Sequence, residues 1–422
     1  MNKPELAILE NGMRLVFVED PHACSSHVAI MVMAGTRHER PEEEGLAHFL
    51  EHMAFKGTGR RSAYDIVRQV EDVGANINAY TARDHTFYHG RSLSAHMPLL
   101  VEILADIVTD SQIREEDVAV ERDVVLQEIA QAEDVPDEII FDIHNDVTFP
   151  GQSLGHRTLG RVERVASYQA EEVRHLLHRF ANPARMVLVV AGPHRLDEVQ
   201  ALGARFLGNI AARPLEQDTS LAKSHGGLTM VPRDSEQTHL CWTFPVPGLA
   251  SEDHASWQLF ANLFGGGMSS PLFQEIRETR GLAYSVYAFY AGLSDCGQLG
   301  MSMGTSSERM GEACQVARNV LEKLAMGEVG EDALTRARNQ TKAASLMALE
   351  HAANRADHAA RQLQILGHLE DPLDVISRLD QLTVKDITFM AQSLLSGDQP
   401  SAVLLGGVRA LDQKMLEAVL RT

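Results

Sequence analysis

The chain has 422 residues, 44% of them hydrophobic and 23% charged. At about 150 residues per domain this predicts two or three domains with their own cores, and it excludes a disordered, collagen-like or coiled-coil protein. With 58 acidic against 38 basic residues, the formal net charge of −20 argues against nucleic acid or an anionic membrane as a partner.

The first elements alternate. Leu6-Ala7-Ile8-Leu9 leads into Asn11-Gly12, a hairpin turn signal, and Arg14 to Glu19 reads as the return strand. Ser26 to Gly35 is strand-rich, with Val28, Ile30 and Val32 in period two. After Arg40 the pattern turns helical. Pro41 suits a first helical position, and Glu42, Glu43 and Glu44 suit the positive end of the helix dipole, so one helix is expected from Pro41 to about Phe55. Ser62 caps a second helix carrying Ile66, Val67, Val70 and Val73, which Gly74 closes. Two strands are expected between Asn76 and Leu93, then helices over Ser94 to Thr109 and Arg114 to Ala132. A strand at Arg185 to Ala191 and a helix over Arg195 to Leu207 end this half.

The second half repeats the order more loosely. Leu228 to Pro247 is strand-rich, Ser251 to Phe264 helical, and Gly265-Gly266-Gly267 breaks that helix. A short helix over Pro271 to Thr279 precedes a strand pair at Leu282 to Tyr290 and Gly297 to Gly304. Helices follow over Glu308 to Ala325 and Glu331 to Gly367, and Ser401 to Gly406 is the late strand. The expected fold class is therefore α+β, with two similar domains at 1–212 and 225–422. The polar stretch 213–224, which has no clear period, joins them as a linker.

Cys24, Cys241, Cys296 and Cys314 show no paired spacing and read as reduced thiols. No basic-then-apolar leader is visible before Asp20, and no apolar run is long enough to span a bilayer. A cytoplasmic protein without a membrane span is expected.

The chemistry concentrates in His48-Phe49-Leu50-Glu51-His52. On a helix, residues four apart share a face, so both imidazoles reach one metal. Glu51 points towards the same face, within reach of a metal-bound water. A catalytic metal of this kind needs a further protein ligand, usually a carboxylate. Glu121 and Glu128, seven apart on one helical face, are the candidates; either suits a ligand, and the other suits orienting a histidine from behind.

His48-x-x-Glu51-His52, then 75 residues, then Glu128 inside Glu121-Arg122-Asp123-Val124-Val125-Leu126-Gln127-Glu128, resembles the M16 family of zinc peptidases. The flanks match too: Ala34 to Glu39 before the motif, Phe55-Lys56-Gly57-Thr58 after it, Asn78 to Thr81, and Leu154-Gly155 with Leu159-Gly160. The likeness covers most of the chain and is greatest with the short, processing-peptidase-like members. It implies two similar domains, each a mainly antiparallel sheet packed with helices, forming half of a clamshell chamber. It implies one zinc per chain on His48, His52 and Glu128, Glu51 as general base, and Glu121 as a carboxylate behind the ligands. Arg277 and Tyr284, seven apart, would meet the substrate carbonyl or its developing oxyanion. Asn78, Ala79, Tyr80 and Thr81 would form the strand edge that pairs with an extended peptide. Gly265 to Ser270 resembles the family's glycine-rich segment but departs from it at Pro271.

The implied activity is a zinc endopeptidase or oligopeptidase that cuts unfolded or extended peptides through zinc-activated water. The alternative is a non-catalytic zinc-binding partner subunit of the same fold, which the intact set His48, Glu51, His52 and Glu128 opposes. A small-molecule lyase with a similar motif is opposed by chain length. Peptides are the expected partners, and a homodimer is the simplest assembly, a hetero-partner being the other. Twelve acidic and two basic residues lie between Asp110 and Asp142, contributing half of the net charge. This run suggests an acidic wall that favours cationic peptides.

Overall fold

The computed structural model describes residues 2–215 and 221–420. They form two compact α+β units. The first comprises Met1–Gln131, His156–Ser220 and Ala348–Leu369, and the second Ala132–Gly155, Leu221–Met347 and Glu370–Thr422. One boundary thus falls inside the stretch 213–224 read as a linker, of which 216–220 lie outside the described residues. The contiguous domains 1–212 and 225–422 need correction, because each unit takes one segment from the other half of the sequence. Apolar faces announce that a segment must pack; they do not say on which sheet.

The sheet of the first unit runs β1 (Glu5–Ile8), β2 (Arg14–Glu19), β3 (Ser25–Val32), β4 (Asn76–Thr81), β5 (Thr86–Leu93) and β6 (Met186–Gly192) in sequence. In space the order is β1-β2-β6-β3-β5-β4, antiparallel except for β2 with β6. Side chains alternate across each strand. Val28, Ile30 and Val32 of β3 meet the helices α1 (Leu46–Ala54) and α3 (Met97–Thr109), while Ala29 and Met31 face the other way. That second face is covered by the helix Ala352–Ile365, which lays Ala352, Ala356, Ala359, Ala360 and Leu363 on the sheet. Burial on both faces explains why β6 reads as an unbroken apolar run.

The sheet of the second unit contains β7 (Gly227–Pro232), β8 (Thr238–Val246), β9 (Ser285–Gly292), β10 (Gly297–Thr305) and β11 (Ser401–Gly406). Its order is β7-β11-β8-β10-β9, with only β7 and β11 parallel. The plan repeats the first: an early strand runs parallel to the late one. Leu240, Trp242 and Phe244 of β8 enter the main core, and Cys241 faces Ile139 and Ile140 of the helix α5 (Pro136–Thr148). The free thiols Cys241 and Cys314 are buried and Cys24 is exposed.

Two helical expectations change. The helix expected from Pro41 is a 3-10 turn, Pro41–Glu43, followed by Gly45 at φ 90° and then α1. Only glycine adopts that angle without strain. The acids meant for the dipole are used laterally instead. Glu43 pairs with Arg179 at 2.6 Å, and Glu44 accepts from the Arg157 amide and Arg161, each at 3.1 Å. The helix expected over Glu331 to Gly367 is two, Glu331–Ala348 and Ala352–Ile365. No proline or glycine marks the break; it falls where the chain passes into the first unit. Helix α5 is not among the sequence expectations, although Pro136 followed by Asp137 and Glu138 marks its start and Ile139, Ile140, Ile143 and Val147 keep a helical period.

Ala356 is fully buried against the first unit's sheet. Ala356→Asp places an unpaired charge there and should cost about 3 kcal/mol or more. A urea midpoint unchanged from wild type would show that this helix does not hold the sheet.

Candidate metal centre

Helix α1 has nine residues and two duties. Leu46, Phe49, Leu50 and Met53 fill the core, while His48 and His52 stack one turn apart with ring centroids 4.6 Å from each other. The helix α4 (Glu115–Glu133) adds Glu128. Glu128 Oε2 lies 3.8 Å from His48 Nε2 and 3.6 Å from His52 Nε2. These three side chains form a group able to hold a metal ion.

The donor set fits a small divalent cation. Ligands about 2.0–2.1 Å from a tetrahedral zinc stand roughly 3.3 Å apart; the two Glu128–histidine separations are close to this, and all three donor atoms lie within 4.8 Å of one another. Glu128 Oε2 and His48 Nδ1 are buried and accept or donate no hydrogen bond among the described residues. His48 is pushed down to about 3 by burial and then by the neighbouring charge of His52. Its imidazole is therefore neutral, the form that ligates.

The two seven-apart carboxylates part company. Val118, Glu121, Val125 and Ile129 form the buried face of α4. Glu121 Oε1 lies 2.8 Å from His52 Nδ1, and its other oxygen meets the Lys56 ammonium. Donation from Nδ1–H leaves the Nε2 lone pair facing Glu128. The hydrogen bond to Glu121 is also what raises the His52 pKa most. Burial pushes Glu121 up, but its bonds to His52 and Lys56 outweigh that and lower it.

Glu51 lies beside the group. Burial raises its pKa, the Thr81 hydroxyl opposes this by donating to Oε2 at 2.5 Å, and Glu128 adds a further upward push. Thr81 ends β4, which is an edge strand. Of the four β4 residues singled out in the sequence, only Thr81 reaches Glu51 with its side chain. Tyr80 points to the other face and stacks on Phe87 at 5.5 Å. The Ala79 amide donates to the Asn78 side chain at 2.9 Å.

Arg277 and Tyr284 stand in the second unit and touch each other. The guanidinium lies 4.4 Å from the Tyr284 ring centre and 4.9 Å from that of Phe273. Tyr284 is 79% exposed. Arg277 sits in a π-helical turn, Gln274–Thr279, which directly follows Pro271–Phe273. Gly265 to Gly267 end the preceding helix, as its sequence suggests.

Sequence reasoning assigned no role to Lys56, to the Thr81 hydroxyl, or to Glu39, although all three lie in segments that it quoted. Their signal was a polar residue where nothing about helix or strand requires one.

Known proteins resemble this chain over nearly its whole length. Residues 14–161 match the family described as Insulinase (Peptidase family M16), and residues 167–341 match the Peptidase M16 inactive domain. An uncharacterized zinc protease of Streptomyces coelicolor is 33% identical over 95% of this chain and 89% of its own. The chain belongs to peptidase family M16. One from Bacillus subtilis is 29% identical over 94% of this chain and 96% of its own. The crystal structure of a protease from Helicobacter pylori superposes with a TM-score of 0.90 at 22% identity, covering 96% of this chain and all of that one. A peptidase M16 inactive domain from Pseudomonas fluorescens gives 0.87 at 18% identity, covering 97% and 99%. These two share the two-unit α+β fold.

Glu121→Ala should leave Glu128 in place and lower divalent-metal affinity about 10–100-fold, because His52 loses the acceptor that orients it. Competition against a chelator reads this, and an unchanged affinity would show that Glu121 has no hold on the group.

Proposed function

We propose that this M16 chain is a zinc-dependent endopeptidase or oligopeptidase acting on extended peptides. The carrying observation is the convergence of His48 Nε2, His52 Nε2 and Glu128 Oε2 with Glu51 alongside. Relatives named zinc proteases support zinc as the metal.

His48, His52 and Glu128 would hold one zinc ion per chain. When bound, zinc supplies Lewis acidity that polarises a peptide carbonyl and acidifies water. Glu51 takes a proton from water at its carboxylate and returns it to the leaving amine. Its raised pKa, from burial, suits both directions of transfer. Glu121 fixes the His52 tautomer. Arg277 and Tyr284 offer a cation and a phenol to a developing oxyanion, and their mutual contact pre-orients the pair. The β4 edge offers main-chain groups to an extended substrate, which gives affinity with little sequence demand.

The family match described as an inactive domain covers 167–341, and His48, Glu51, His52 and Glu128 lie outside that span. It therefore lends no support to a non-catalytic partner subunit. No helix among the described residues is long and apolar enough to cross a membrane; the location proposed from the sequence is cytoplasmic. The proposed assembly is a homodimer, since one chain carries both residue sets. Mass in solution tests it: a single-chain mass or an obligatory second polypeptide would overturn it.

Chelation should abolish cleavage of a quenched peptide library, and added zinc should restore it. Glu51→Gln should retain zinc and lose about 10²–10⁴ in rate, whereas His52→Ala should lose the metal. If Glu51→Gln lost its zinc, the general-base role would fall. If wild type held zinc and cut nothing in the library, the partner-subunit reading would replace this one.

The acidic run Asp110 to Asp142 is divided between the units after Gln131, so seven of its twelve acids share a unit with the metal group. Glu128 belongs to the metal group and Glu121 is paired with Lys56, so we propose that Glu51 and the other acids of this unit give a preference for cationic peptides. Equal cleavage of Lys/Arg-rich and acidic peptides at low salt would refute it.

A further inference from the structure

The two histidines of α1 are held in different ways. His52 is oriented through its ring by Glu121 at 2.8 Å. The His48 ring is buried, and its Nδ1 has no hydrogen-bond partner among the described residues. No side chain among the described residues bonds that imidazole from behind, so its place is set by packing and by the backbone that carries it.

That backbone is gripped by Glu39. Its carboxylate is buried, with Oε2 accepting from the Gly45 amide at 3.1 Å and Oε1 from the Ala47 amide at 2.8 Å. His156 Nδ1 stands 3.4 Å from Oε2. Gly45 and Ala47 are the N-cap and second residue of α1, and His48 is the third. The first-turn amides of a helix have no partner inside the helix. A Ser, Asp or Asn at the cap position is the usual remedy, but it is barred here. Gly45 has φ 90°, and a Cβ on it would lie 2.4 Å from Gly160 Cα. The cap must come from elsewhere, and Glu39 supplies it at the cost of burying a carboxylate. Burial pushes that carboxylate up to about 7, against the pull of His156 and the two amides.

Glu39 is itself tied to the strand that holds the base. Thr36 N–H donates to Ala82 O at 3.2 Å and Arg37 N–H to Arg83 O at 3.0 Å. Arg37 also pairs with Asp84 at 3.1 Å. Gly35 lies so close to this turn that a Cβ would be 2.1 Å from Ala82 O. Thr81, the residue before the turn, donates to Glu51. One hydrogen-bonded turn after β4 thus connects to both the first turn of α1, through Glu39, and the base, through Thr81.

We infer that Glu39 is the positioning residue for His48, setting the metal ligand through the backbone of α1 as Glu121 sets His52 through its ring. The inference rests on the zinc reading above. The test measures zinc affinity by chelator competition and the visible spectrum of the cobalt-substituted protein. Four variants are compared with wild type: Glu39→Ala, Glu39→Gln, Glu39→Asp and Glu43→Gln. Glu39→Ala should weaken zinc binding about 10–100-fold, the range for residues behind metal ligands, and should shift the cobalt bands. Glu39→Gln keeps one carbonyl acceptor but turns an NH2 donor towards the other amide, so it should recover both only in part. Glu39→Asp keeps the charge but is a methylene short, so both readouts should fall between. Glu43→Gln removes an acid that pairs with Arg179 and does not touch α1, and both should stay at wild type.

A folded Glu39→Ala within about twofold of wild-type affinity, with unchanged bands, overturns the assignment. An equal loss in Glu43→Gln also overturns it. If Glu39→Ala does not fold, Glu39→Asp decides, and wild-type affinity and bands there overturn it. Wild type that takes up no zinc sinks the metal reading itself, whereas wild-type uptake with indifferent variants sinks only Glu39.

Discussion

Everything at the candidate site depends on one short helix meeting two demands at once. Helix α1 must bury Leu46, Phe49, Leu50 and Met53 in the first core, and its other side must hold His48, Glu51 and His52 ready for chemistry. Nine residues leave two and a half turns, so a slip of one residue would put a histidine in the core. The helix is therefore fixed from outside: at its start by Glu39, at its last turn by Glu121 through His52, and beside its middle by Thr81 through Glu51. None of these three contacts lies within α1.

Helix α4 solves a related problem with one repeat. Glu121 and Glu128 sit seven residues apart, and two helical turns of 3.6 do not quite make seven. The small rotation that remains moves Glu121 onto the buried stripe of Val118, Val125 and Ile129 and leaves Glu128 on its border. One carboxylate is thus enclosed and bonded to His52 and Lys56, while the other stays open to a metal. Burial separates the roles of two side chains that are chemically identical.

Much of this was legible. Alternating Val28, Ile30 and Val32 marked a strand whose faces differ, and Asn11-Gly12 a tight turn; both stand in the fold. Ser62 caps its helix by accepting from Asp65 N–H, as its position suggests. The pair His48 and His52 shares a helical face because spacing of four leaves no choice. The failures have a common cause. Pro41 with three acids reads as a helix start, but Gly45 breaks the pattern because Gly160 packs against it from far along the chain. The run Glu331 to Gly367 keeps a helical period throughout, and only the different destinations of its two parts divide it.

The sequence by itself determined the donor types, their spacing along α1 and α4, and the two-part α+β plan. Spacing within one helix is a local geometry that 3.6 residues per turn dictates. The tertiary structure alone decided which carboxylate faces the histidine nitrogens, which is tied to Lys56, and that Glu39 closes the start of α1. It also decided that α5 packs in the second unit and Ala352–Ile365 in the first. These choices depend on contacts between segments tens to hundreds of residues apart, and an apolar face or a buried carboxylate carries no address for its partner until the chain has packed.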